Sequence, residues 1–162
     1  MNEALSNAFV VQPPASVAST ATTTCQFDTI GYDYAVINIL SGTQATTDAA
    51  ITTITLKESD DTTATNFTAI TAFTGAAATS TSAGFAIPAV TVTGVGAGVQ
   101  LQIDLRKRKR YLQLNMTPGT TLVMGAVVEL SRGEQAALTA AQKSVQNKSA
   151  TNVTAIAVIA NG

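Results

Sequence analysis

Five of the nine basic residues in this 162-residue chain stand in one unbroken block, Arg106, Lys107, Arg108, Lys109 and Arg110, with Tyr111 directly after them. Such a block could grip backbone phosphates while Tyr111 stacks on a base, face an acidic patch on another protein, or simply lie in solvent as a loop. The rest of the chain speaks against the first use. Net charge is −1 and aromatic residues make up 5%, so neither an extended basic face nor a stacking platform accompanies the block. No nucleic-acid partner is expected; a protein-facing patch and a solvated loop both stay open.

The remaining candidates for chemistry are sparse. Glu58, Asp60 and Asp61 offer carboxylate oxygens to a hard cation, but the Asp-x-Asp-x-Asp-Gly order of a calcium loop is missing, so a solvated turn is the expectation. The glycines of GVGAG (94–98) imitate a phosphate loop, yet no Lys-Thr or Lys-Ser follows and the next segment is patterned as a strand. Cys25 has no second cysteine to pair with and reads as a small core residue. Histidine is absent, which removes the usual general base and the commonest metal ligand. No catalytic residue, metal site or cofactor is expected, and the chain reads as a non-enzyme; a hydrolase with a Ser-Lys or carboxylate site is the weakest option.

The elements that must position these groups read as strands. The chain is rich in Thr, Ala and Val and only 12% charged, and its length suits one domain. Residues 1–24 read as an extended N-terminal segment, with Glu3 where a signal peptide would be basic, and no run is long enough to cross a membrane as a helix. AVINIL (35–40) reads as a strand buried on much of both faces. ITTITL places Ile54 and Leu56 on one face and is expected to end where the acids begin. NFTAITAFTG is compatible with a short strand and a turn, and Val90 and Val92 with a strand over 89–93.

Around the basic block the alternation changes phase. Val99, Leu101, Ile103 and Leu105 are apolar at odd positions, whereas Leu112, Leu114 and Met116 are apolar at even ones. One continuous strand would send the two sets to opposite faces, so a hairpin at 106–109 is expected. After the PGTT turn, Leu122, Met124, Ala126, Val128 and Leu130 share a face, which makes a second hairpin of 111–130. Residues 131–162 then change character. Ser131 and Glu134 have capping-box spacing ahead of a helix with Leu138, Ala141 and Val145 on one stripe. A last apolar run, Val153 to Ala160, reads as a strand with Val153 and Ile159 on one face and Ile156 and Val158 on the other. Its cover must be either its own sheet or a neighbouring subunit.

The order FDTIGYDYAVINI, ITTITLKESDD, NFTAI and RKRYLQLNMTPGTTLVMGAVVEL resembles the small head-decoration, or capsid-cement, proteins of tailed bacteriophages and prophages, over roughly residues 25–130. The marks are a Gly31-Tyr32 turn into an apolar strand, a strand closing on LKESDD, an NFT segment, and KRYLQLNMT followed by a turn and a final apolar strand. The resemblance implies an all-β, antiparallel, jelly-roll-like sandwich on the outer surface of a phage head, synthesised in the bacterial cytoplasm. It implies the major capsid protein and further copies of the chain, as a trimer, for partners, with no membrane. It also implies that Arg106, Lys107, Arg108, Lys109 and Arg110 either meet an acidic patch of the capsid protein or are exposed. The helix and strand after residue 130 depart from the family pattern and read as an arm, with Leu138, Val145, Val153, Ile156, Val158 and Ile159 as contacts to an adjacent subunit or capsid protein. The rival reading is a tail, neck or fibre-associated module of the virion that recognises host-surface carbohydrate. An aromatic-lined groove would favour it, and only Tyr32, Tyr34, Tyr111 and five Phe are available.

Overall fold

A computed structural model describes residues 8–43, 51–77, 84–87, 94 and 96–132. In chain order the strands are β1 (Ala8–Val17), β2 (Thr23–Asp28), β3 (Tyr34–Ser41), β4 (Ile51–Ser59), β5 (Thr68–Ala77), β6 (Phe85–Ile87), β7 (Gly98–Asp104), β8 (Tyr111–Pro118) and β9 (Leu122–Ser131). They form two sheets, ordered β1-β9-β3-β7 and β2-β8-β4-β5-β6. Every pairing is antiparallel except that of β5 with β6. Apart from the short β6, these are the two four-stranded sheets of a jelly roll, in which the chain crosses from one sheet to the other at nearly every connection. The chain is an all-β sandwich. The C-terminal helix and strand expected after Ser131, the contacts Leu138, Val145, Val153, Ile156, Val158 and Ile159, and the strand over 89–93 lie outside the described residues.

Each strand turns its alternate apolar residues inward. Ile37 and Ile39 of β3 and Met124, Val128 and Leu130 of β9 meet Phe27 of β2, Ile54 and Leu56 of β4, and Leu112, Leu114 and Met116 of β8 in one core. Burying each large aliphatic side chain contributes about 1.5–3 kcal/mol, so side-chain parity is strongly enforced. The expected shared face of Leu122, Met124, Ala126, Val128 and Leu130 is present, and all five are buried. Cys25 is also in this core, where burial pushes its thiol up to about 12.

Four expectations are corrected, the two hairpins first and together. The segments on either side of the basic block do not form a hairpin: β7 pairs with β3, and β8 with β2 and β4 in the opposite sheet. The 111–130 hairpin is likewise a crossover, because β9 returns to the first sheet beside β1 and β3. In a sandwich the inner faces of both sheets look onto the same core, so a crossover carries the same alternation as a hairpin. Third, β3 is buried on one face only. Ala35, Ile37 and Ile39 are inside, Val36 and Asn38 are half-buried, and Leu40 is 60% exposed. Fourth, β4 runs through Glu58 to Ser59, which pair with Leu112 and Tyr111, so Glu58 stands on a strand rather than in the turn. The unsettled NFTAITAFTG segment is a single 3-10 turn (Ala64–Asn66) followed by β5.

Two glycines ease the backbone at tight places. Gly31, at φ 82°, makes the turn between β2 and β3, a left-handed conformation that side chains disfavour. Gly125 lies against the irregularity that Pro13 and Pro14 introduce into β1; a Cβ there would stand 3.1 Å from Gln12 O and from Pro14 N. Those prolines also blunt the outer edge of β1 against further pairing.

Candidate functional site

The basic block is folded onto carboxylates of its own chain. Leaving β7, the chain makes a 3-10 turn (Leu105–Lys107) and crosses to the second sheet, about 10 Å away, before β8 begins at Tyr111. Asp104 caps that turn by accepting from Arg106 N at 3.1 Å, and its carboxylate takes Arg106 Nε at 2.9 Å and Nη2 at 2.6 Å. These bonds and the guanidinium charge hold the Asp104 carboxyl down to about 2. The Arg106 guanidinium also lies 5.3 Å from the centroid of the Tyr34 ring. Because both partners are well exposed, this pair fixes the turn more than it stabilises the fold.

Arg108 reaches Glu58 at 3.6 Å, while Lys109 reaches Asp60 at 3.4 Å and donates its backbone N–H to Glu58 at 3.3 Å. The strongest tie is Arg110 to Asp28. Nε stands 3.1 Å from both carboxylate oxygens and Nη2 2.8 Å from one of them, and the Asp28 side chain is only 3% exposed. Ile30 N also donates to Asp28, and Thr29 donates both its N–H and its hydroxyl to the carbonyl of Arg110. The crossover is thus latched to the end of β2 by Arg110, to the end of β4 by Arg108 and Lys109, and to the end of β7 by Arg106. Among the described residues, Lys107 alone of the five makes no ion pair, although its charge adds to the field on Asp104.

The three acids around the end of β4 do not converge. Glu58 and Asp60 face the basic crossover, whereas Asp61 turns away to accept from Thr63 N at 2.7 Å and Asn66 Nδ2 at 2.8 Å, which lowers its pKa. Among the described residues no group of three or more acidic, cysteine or histidine side chains is gathered as a metal site. The GVGAG glycines lead into β7 rather than into a helix, and Ala97 is stitched to Ser41 through its N–H and its carbonyl, both at 2.8 Å. That backbone is committed to closing the sheet.

A second feature lies at the other end of β3. A groove of about 350 Å³ is lined, among the described residues, by the uncharged Val11, Gln12, Pro14, Leu40, Ser41, Gly42, Val123, Gly125, Ala126 and Val127. Leu40 and Val123 have the parity opposite to their buried neighbours Ile39 and Met124, so the groove opens on the outer face of the β1-β9-β3 surface. Leu40 is 60% and Val123 47% exposed. From Tyr34 to Leu40 is six residues of strand, about 20 Å, so the charged latch and the groove occupy opposite ends of the same sheet.

Sequence reasoning found the basic block but not its partners, and it missed the groove. The signal for the groove was present as off-phase apolar residues, Leu40 after Ile39 and Val123 between Leu122 and Met124. No protein-family model matches the chain, and no curated protein is significantly similar to it.

Proposed function

We propose that this chain is a structural protein of a tailed-phage virion, a decoration or cement protein that binds the outer surface of the head and stabilises contacts between major capsid proteins. In this reading it acts as a homo-oligomer, a trimer, after synthesis in the host cytoplasm. The observation that carries the reading is how the surface chemistry is shared out. Four of the five basic residues answer carboxylates of the same chain, while the outer face of one sheet presents a groove whose described lining is uncharged and mostly apolar. That distribution suits recognition of another protein surface through apolar area. The order of the head-decoration motifs supports the same reading, and a jelly roll is a compatible scaffold, though folds of this kind serve many functions.

The mechanism is mass action. A protein that binds the assembled shell and not its free subunits adds about 2.7 kcal/mol per site when its free concentration is a hundredfold above Kd. Packaged DNA lies inside the shell, so a protein on the outer surface has no duplex to grip. None of the described residues that line the groove is aromatic, so those residues do not favour carbohydrate recognition by a tail, neck or fibre module.

The test is the copy number of this chain relative to the major capsid protein in purified particles, by quantitative mass spectrometry. A ratio near parity is expected. A few copies per particle would move the chain to the tail or neck, and absence from particles would refute the virion reading.

A further inference from the structure

We infer that the apolar groove on the outer face of β1, β9 and β3 is the seat of this chain's own terminal apolar run, residues 153–160, folded back in cis. The inference goes beyond the virion reading and does not rest on it; a groove filled in cis would offer a partner the seated run, itself uncharged and apolar, in place of Leu40 and Val123.

Reach is the first argument. The last described residue is Arg132, next to the end of β9 that pairs with Tyr34, whereas the groove lies at the Val123 end of the same strand. Eight residues of strand separate Val123 from Ser131, about 26 Å. Twenty residues, 133–152, stand between Arg132 and the apolar run. Behaving as a coil, they have a root-mean-square span of about 25 Å, close to the distance required. With 134–146 wound into the helix that the capping box implies, the linker still covers roughly 40 Å. A tether matched to its span holds the run near its own groove at a millimolar order of effective concentration, which favours the same chain over a second copy.

Chemistry is the second argument. Lys148 is the last charged residue of the sequence, and Val153, Ile156, Val158 and Ile159 follow within an uncharged stretch. None of the described residues that line the groove is charged, so seating this run against them desolvates no ion. Leu40 and Val123, the two most exposed large aliphatic residues described, are what it would cover. Among the described residues, the opposite end of the sheet carries the Arg106–Asp104 ion pair instead.

The experiment is disulfide trapping in the full chain. Val123→Cys is combined in turn with Val153→Cys, Ile156→Cys and Ile159→Cys, and oxidised with diamide, with products separated without reductant. Val123 is exposed, so its replacement leaves the core intact, and Leu40→Cys serves as a second probe of the same groove. Cys25 is buried and its thiol is pushed up to about 12, so it does not compete. Gln102→Cys is the control: it is exposed on β7, opposite Val36, and stands nearer the point where the linker leaves. The expected result is an intramolecular disulfide forming at least tenfold faster for one of the groove pairs than for its control. Rates no faster than the control for every pair would overturn the inference, as would products linked only between chains, which would give the groove to a second copy.

Discussion

Removing either partner of the Arg110–Asp28 pair should cost very different amounts. Asp28 is 3% exposed and Arg110 39%, so the two ions depend on each other unequally. Arg110→Met leaves a carboxylate enclosed near the end of β2 with only Ile30 N still reaching it among the described donors, and a buried charge stripped of its partner costs about 3–5 kcal/mol. Asp28→Asn keeps an acceptor for Ile30 N and leaves behind a guanidinium that already reaches water. Its cost should fall to about 1–2 kcal/mol, the range for losing a charge-assisted hydrogen bond at a partly exposed site. Urea denaturation at pH 7, followed by the intrinsic fluorescence of the tyrosines, measures both. The expected outcome is a midpoint for Arg110→Met well below that for Asp28→Asn, with the double variant close to Asp28→Asn because removing the carboxylate removes the penalty. Equal losses, or a larger loss for Asp28→Asn, would refute the claim that the latch is governed by burial of the carboxylate.

Four further outcomes are expected. Lowering pH should weaken the turn at Asp104: its folded pKa of about 2 lies below its ordinary 3.8, so its contribution is complete above about pH 4 and lost as pH falls toward 2. The pH dependence of the urea midpoint between pH 4 and 2 should therefore be shallower in Asp104→Asn. Native Cys25 should label with a thiol reagent only as fast as the sandwich opens, and a rate near that of free cysteine would place it outside the core. Leu114→Ala should cost about 2–5 kcal/mol, since Leu114 is fully buried between β2 and β4, while Gln100→Ala, at an exposed position on the outer face of β7, should stay within about 0.5 kcal/mol; thermal denaturation distinguishes them. If the basic loop touches an acidic capsid surface, Lys107→Glu should reduce attachment to particles in low salt and much less in high salt, because Lys107 has no described carboxylate to lose. Attachment unchanged at every salt concentration would leave the loop as a latch alone.

What the sequence determined by itself was parity and composition. Odd-numbered Leu101 and Ile103 and even-numbered Leu112, Leu114 and Met116 all point inward as their alternation required, because a strand turns successive side chains to opposite faces whatever lies beside it. The phase change at the basic block correctly marked a break between strands. Tertiary structure decided which sheet each strand joins. Alternation is a property of one strand, and the two inner faces of a sandwich are indistinguishable to it, so β7, β8 and β9 looked like neighbours when they alternate between sheets. The same holds for the charges. Arg110 and Asp28 are 82 residues apart, and only the crossing of β7 to β8 over the end of β2 brings them together. Five consecutive cations are conspicuous in a sequence, but their carboxylates come from three separate strand ends. Their meaning as an internal latch therefore arises from the topology, as does the groove, whose residues come from β1, β3 and β9 and adjoin only because the jelly roll places those strands side by side.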